Sequence, residues 1–197
     1  MGPRRGFTLI DLIVIITLLG TLAGSMTVLF ARLAERSASA LRTREATTLA
    51  ESLLQEVRAM PFTFCDPQDA RATLAQGAFV GATGCASAVD ALGPEPGESR
   101  YNPANRFDGV TDYQGFTMPG PGCAALCDRN GAPLALSGSL AGCTATVTMN
   151  ALALPGIAAL DVNGRPQALR IVVRLRCPGL ADTVAEGVRV RHAPRSV

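Results

Sequence analysis

From Leu12 to Ala31 the chain runs 20 residues without a charged side chain. At a helical rise of ~1.5 Å per residue that run spans roughly 30 Å, the thickness of a bilayer's hydrocarbon core. No other feature constrains the fold as strongly. A segment of this kind must lie in lipid or against other apolar helices, and the rest of the chain must fold without it. Arg4 and Arg5 precede the run, which puts the N-terminus in the cytoplasm and the remainder across the inner membrane. The run is too long for a secretory signal peptide and lacks the small-residue cleavage site after it. A plain signal anchor leaves two details unexplained. These are the junction Arg4-Arg5-Gly6-Phe7-Thr8-Leu9-Ile10 and the carboxylate Asp11 at the edge of the apolar run. An acid deep in such a segment costs about 2.5–3.5 kcal/mol on insertion scales.

Helical periodicity continues past the run. Leu41, Leu49, Leu53, Val57 and Met60 recur at helical spacing, with charged residues on other faces, and Pro61 stops the pattern. The spacing predicts one helix over about 8–59, with Gly20 and Gly24 as its weak points. Its first half is apolar all round; its second is amphipathic and suited to packing on a sheet, with a coiled-coil partner as the alternative. Residues 61–141 read as mostly loop, with turn signals at Gly93–Gly97 and Met118–Gly122. After them, Thr144–Asn150, Arg170–Cys177 and Val184–Arg191 read as strands, separated by Asn163-Gly164 and Pro178-Gly179 turns. In the second strand Ile171, Val173 and Leu175 alternate with Arg170, Arg174 and Arg176. In the third, Val184, Val188 and Val190 lie opposite Arg189 and Arg191. The fold class is therefore α+β, a long N-terminal helix packed on a C-terminal antiparallel sheet. Its parts are residues 7–31 (apolar helix), 32–60 (amphipathic continuation), 61–141 (loop-rich) and 142–197 (sheet).

The six cysteines, Cys65, Cys85, Cys123, Cys127, Cys143 and Cys177, all lie beyond the apolar run. An even number in an exported region reads as a disulfide framework, with buried free thiols as the alternative. Six cysteines allow 15 pairings. Antiparallel neighbours would bring Cys143, at the start of one strand, beside Cys177, at the end of another. Cys123 with Cys127 and Cys65 with Cys85 would then staple the loop. Nothing calls for a cofactor or a metal. One histidine, His192, excludes multi-histidine sites, and Asp108 with Asp112 lacks the rest of a calcium ligand set, so the pair reads as a surface turn. An extracytoplasmic enzyme would have to draw on Asp161, Asp182 and His192, and no nucleophile or metal motif accompanies them. The net charge is only +2. The sheet arginines lack interleaved aromatics, so no nucleic acid is expected.

Residues Gly6 to Leu12, Gly-Phe-Thr-Leu-Ile-Asp-Leu, resemble the cleavage and methylation signature of type IV prepilins and type II secretion pseudopilins. The resemblance implies a leader of residues 1–6, cut by prepilin peptidase between Gly6 and Phe7, with Phe7 carrying a methylated amine. It also implies assembly with other pilin subunits through the N-terminal helix, after a stage in the inner membrane. Where the family has Glu, this chain has Asp11. The family's Glu pairs with a neighbouring subunit's N-terminal amine, and a shorter carboxylate keeps the charge while changing the reach. Leu49–Arg58 ending at Met60-Pro61-Phe62, and Arg106–Gly115, are similar to stretches in the D-type minor pilins of the mannose-sensitive haemagglutinin pilus system. The expected function is that of a non-enzymatic minor pilin which initiates, caps or decorates a fibre. A minor pseudopilin of type II secretion is the alternative. Adhesion or DNA binding at a filament tip is compatible with either, and would fall in residues 61–141.

Overall fold

In a computed structural model that describes residues 8–134, 140 and 142–191, the N-terminal periodicity becomes a single helix, α1, Leu9–Ala59. It runs without interruption through Gly20 and Gly24. It is long and apolar enough to cross a membrane. By internal contacts the chain falls into two units, one ending at Leu41 and the other beginning at Arg42. Sequence composition put the division nearer residue 31, where charge returns; packing begins later. Every residue from Thr8 to Glu45 is exposed, including Leu41, whose helical spacing had placed it on the packing stripe.

In the second unit the end of α1 packs on a four-stranded antiparallel sheet, which makes the fold α+β. The strands are β1 Thr117–Met118, β2 Thr144–Ala151, β3 Ala168–Arg176 and β4 Thr183–Val190, in the order β1-β2-β3-β4. The helix buries Ala46, Ala50, Leu53, Leu54 and Val57. On the sheet side, Ala145, Val147 and Met149 of β2 and Ile171, Val173 and Leu175 of β3 are almost fully buried. They sit in one core with Phe62, Phe107, Val110 and Tyr113 from the loop region. Full burial of each large apolar side chain stabilises by about 1.5–3 kcal/mol. The residues between them, Thr144, Thr146 and Thr148 of β2 and Arg170, Val172, Arg174 and Arg176 of β3, alternate onto the other face.

β4 forms with the opposite facing from that suggested by its valines. Val184, Val188 and Val190 are exposed, while Ala185 and Arg189 are half-buried and Arg191 is buried. Gly187 lies under α1: a Cβ there would meet Arg58 Cδ at 2.9 Å and Leu54 Cδ1 at 3.2 Å. The inward arginines find other work. Arg189 Nη2 donates to the Met60 carbonyl at 3.3 Å, and the Arg191 guanidinium lies 4.7 Å over the Phe62 ring. The arginines on the outer face are not a free basic patch. Arg170 pairs with Glu186 at 2.7 Å, and Arg174 and Arg176 share Asp182, each at 3.1 Å.

Residues 61–134 form few regular elements, but they do not lie apart from the core. A short 3₁₀ helix, Thr111–Tyr113, packs beside β2. Gln114 Oε1 accepts the Met149 N–H at 2.6 Å, and Gly115 N donates to Val147 O at 3.1 Å. These bonds fix the loop against the sheet. Phe107, Tyr113 and Phe116 meet edge to face, with ring centroids 5.0–5.9 Å apart, a favoured aromatic geometry. Three disulfides join Cys65 to Cys85, Cys123 to Cys127 and Cys143 to Cys177. The last links the residue before β2 to the residue after β3, as expected for neighbouring antiparallel strands.

Candidate functional site

The start of α1 combines an unusually apolar surface with one carboxylate. Thr8 is the N-cap and Asp11 the third helical residue. Thr8 N donates to Asp11 Oδ2 at 3.1 Å, Thr8 Oγ1 donates to the same oxygen at 2.8 Å, and Asp11 N donates back to Thr8 Oγ1 at 3.4 Å. This is a reciprocal capping box, which satisfies two backbone donors that a helix start otherwise leaves unpaired. Its signal, Thr-x-x-Asp before an apolar run, is written in the sequence. Asp11 Oδ2 already accepts two hydrogen bonds, and its charge also lies at the positive end of the helix dipole.

Behind the cap, Leu9, Ile10, Leu12, Ile16, Leu18, Leu19, Met26 and Phe30 all stand more than half exposed. The few hydroxyls among them are closed onto their own helix. Thr17 Oγ1 donates to Val14 O, Thr21 Oγ1 to Leu18 O, Ser25 Oγ to Leu22 O and Thr27 Oγ1 to Gly24 O, all at 2.8–2.9 Å. Along this run no side-chain hydroxyl is left needing water, so the helix suits an apolar environment on every side. Gly6 and Phe7, the expected cleavage and methylation residues, lie outside the described residues, as do the leader and His192.

The disulfide-stapled loops carry their own polar core, which the composition did not suggest. Asp69 accepts hydrogen bonds from the backbone N–H groups of Ala88, Ala86, Ser87 and Arg71, at 2.7–2.9 Å, and from Ser87 Oγ. These bonds hold its carboxyl far below the usual range. It ties the loop bounded by Cys65 and Cys85 to the segment just after Cys85. Arg100 is buried and makes a two-pronged pair with Glu56 of α1. Its Nη1 donates to the carbonyls of Cys127 and Asp128. A cation thus ties the helix to the small Cys123–Cys127 loop.

Asp112 is buried, so Asp108 and Asp112 do not form the surface turn expected from their spacing. Asp112 Oδ2 accepts the N–H groups of Asp108 at 2.9 Å and Gly109 at 2.6 Å. Among the described residues, Glu95, Glu98 and Asp112 form a cluster whose carboxylate oxygens lie within 4.8 Å of one another. Three carboxylates this close cannot all be charged cheaply. Burial, above all, pushes Asp112 up to about 7 and raises Glu98, with the neighbouring Glu95 adding to both. Buried Asp90, hydrogen-bonded by Thr111 Oγ1, is pushed up to about 7 chiefly by desolvation. Asp161 and Asp182, the acids an enzyme reading would need, both serve the scaffold. Asp161 Oδ1 accepts the N–H groups of Asn163 and Arg165 in a turn, and Asp182 pairs with Arg174 and Arg176.

Comparison of the chain with family models, with curated proteins and with solved structures found no match. The class defined by the structure is a disulfide-bonded α+β unit preceded by one long apolar helix that begins with an internally capped acid.

Proposed function

We propose that this chain is a minor type IV pilin, a non-enzymatic subunit that initiates, caps or decorates a pilus. Prepilin peptidase would cut between Gly6 and Phe7 and methylate the Phe7 amine. The subunit would then pass from the inner membrane into a filament, its N-terminal helix packed among those of other subunits and its disulfide-bonded part outside. Asp11 would meet a neighbour's Phe7 amine. A buried cation and a buried carboxylate are each costly alone, and pairing relieves both.

The observation that carries the reading is the junction itself. The signature Gly6-Phe7-Thr8-Leu9-Ile10-Asp11 abuts an exposed helix whose apolar side chains and self-bonded hydroxyls require a nonaqueous partner. A plain anchor accounts for the apolar surface, and the capping box with Thr8 accounts for Asp11 within one helix; the junction Gly6-Phe7 in front of them is what a plain anchor leaves unexplained. Three disulfides in the second unit fit export to an oxidising compartment. N-terminal sequencing of the protein extracted from its native membranes tests the reading. The mature chain should begin at N-methylated Phe7, and Gly6→Leu should leave uncut precursor. A mature chain beginning at Met1, or beyond Ala23, sinks it.

A further inference from the structure

We infer that Asn163 is a modification site, where the carboxamide is lost through a cyclic imide closed by Gly164, while the same step at Asn130 is held back. The pattern Asp-x-Asn-Gly-x-Pro occurs twice in the chain, as Asp128–Pro133 and as Asp161–Pro166. Both copies fold into the same turn. Asp128 Oδ1 accepts the N–H groups of Asn130 and Ala132 at 2.8 and 2.9 Å, and Asp161 Oδ1 accepts those of Asn163 and Arg165, each at 2.8 Å. Gly131 N donates to Asp128 O at 3.1 Å, and Gly164 N to Asp161 O at 3.0 Å. Isolated bridges close the two turns, Cys127 with Pro133 and Leu160 with Pro166. The two Asn-Gly pairs therefore start from one local geometry.

Their surroundings differ. The first turn is pinned from outside: Arg106 Nη2 donates to Asn130 Oδ1 at 3.0 Å, and Arg100 Nη1 to the Asp128 carbonyl at 3.0 Å. A Cβ on Gly131 would lie 3.2 Å from the Gly122 carbonyl oxygen. The second turn stands open. Val162 is fully exposed, and Asn163 and Gly164 are exposed beside it. A Cβ on Gly164 would meet no heavy atom of another described residue within 4 Å. The chemistry needs that freedom. The Gly164 nitrogen gives up its proton and attacks Asn163 Cγ; a C–N bond forms, the Cγ–Nδ2 bond breaks and ammonia leaves. Water then opens the imide at either carbonyl, giving aspartate or iso-aspartate, with no oxidant or reductant involved. Glycine has no Cβ to hinder the attack, but its N–H must first leave the Asp161 carbonyl. The rate therefore follows local opening, which is easiest where few contacts hold a segment. Arg106 and Arg100 oppose that opening at Asn130 alone. The product adds one negative charge to a chain of net charge +2. The inference is independent of the role proposed for the N-terminal helix.

The test ages the full-length oxidised protein in detergent micelles at mildly alkaline pH. Tandem mass spectrometry of its digest then follows aspartate and iso-aspartate at each asparagine over time. Asn163 should convert faster than Asn130 by about tenfold or more, the scale of one charge-assisted hydrogen bond. Arg106→Ala, which frees the Asn130 carboxamide, should speed conversion at Asn130 and leave Asn163 unchanged. A parallel sample of the unsubstituted chain, reduced and unfolded in guanidinium chloride, keeps the test decisive even where Arg106→Ala fails to fold. There the lead of Asn163 should vanish. Conversion of Asn130 as fast as Asn163 in the folded protein overturns the inference. So does a lead of Asn163 that persists in the unfolded chain, because the difference would then lie in the neighbouring residues and not in the turn's surroundings.

Discussion

Arg100 and Glu56 face each other across the join between the loop region and the helix, Nε to Oε1 at 2.8 Å and Nη2 to Oε2 at 2.7 Å. Glu56 Oε1 also accepts the Tyr113 hydroxyl at 2.7 Å. One carboxylate thus gathers a helix, a 3₁₀ turn and a disulfide loop. Burial raises the pKa of Glu56, but the hydrogen bonds from Arg100 and Tyr113 outweigh it and hold the group below the usual range.

Removing one member of this pair should cost far more than removing a surface ion pair. Arg100→Ala leaves Glu56 with an uncompensated charge, and should destabilise the second unit by about 3–5 kcal/mol. The double variant Arg100→Met with Glu56→Gln should recover part of that loss, because no lone charge remains. Chemical unfolding of the detergent-solubilised protein, followed by tyrosine fluorescence in this tryptophan-free chain, measures both. Equal losses in the single and double variants would contradict the account.

Gly187 lies directly against the Leu54 and Arg58 side chains of the helix. Gly187→Ala should be tolerated with a small loss, since the nearest obstacle is Arg58 Cδ, which belongs to a flexible side chain. Gly187→Leu must displace Leu54 as well, and should cost about 1–3 kcal/mol by overpacking. Thermal unfolding ranks the two; a more stable Leu variant would mean that the helix does not rest on β4.

The pH dependence follows from two sets of acids with opposite shifts. Asp90 and Asp112, both pushed up to about 7, keep protons in the folded chain that the unfolded chain releases near the ordinary value of 3.8. Their contribution is fully present below that value and is lost as pH rises through about 7. Glu56 and Asp69, both lowered, contribute above their ordinary values and lose that contribution as pH falls through their depressed ones. Stability should therefore be greatest near about pH 4–5 and decline toward pH 8. Asp112→Asn should flatten the decline. Urea midpoints across that range check it, and an increase from pH 5 to pH 8 in the unmodified protein would contradict it.

Asp11 serves two readings that one pair of substitutions separates. Asp11→Ala removes both the capping box and the charge. Asp11→Asn keeps a side-chain oxygen that can accept from Thr8 N, but carries no charge. Under the proposed function both variants should insert and be cleaved, and both should fail to enter filaments, whereas Asp11→Glu should enter. Filament incorporation, scored by immunoblotting of sheared surface fractions, gives the answer. Normal entry of Asp11→Asn would reduce Asp11 to a helix cap.

Much of the architecture was legible because it rests on periodicity. The helix end at Ala59 follows from Pro61, and β3 from Ile171, Val173 and Leu175 alternating with arginines. The facing of β4 was not legible, because facing depends on what covers a strand. Gly187 and Ala185 admit the helix, so Arg189 and Arg191 go inward and the valines outward. The helix stripe was misplaced at Leu41 for a related reason: periodicity gives a face but not how far along it the packing extends. β1, with two residues, has no pattern to read. The loop region carries too little apolar patterning for its order to be legible in the sequence. Its order comes largely from Asp69, Asp112 and Arg100, whose partners are backbone groups and acids distant in sequence. Of the candidate site, the apolar run and Asp11 were visible, while the cluster of Glu95, Glu98 and Asp112 arises only when two loop segments meet.

The covalent map has a property that concerns how the protein is made. Numbered along the chain, the first cysteine pairs with the second, the third with the fourth and the fifth with the sixth. The three rings neither nest nor interlock. For a chain that emerges from its N-terminal end, each odd-numbered cysteine therefore finds its native partner in the next one to arrive. An oxidant that joins thiols in order of arrival writes the correct connectivity at the first attempt, with no later exchange between rings.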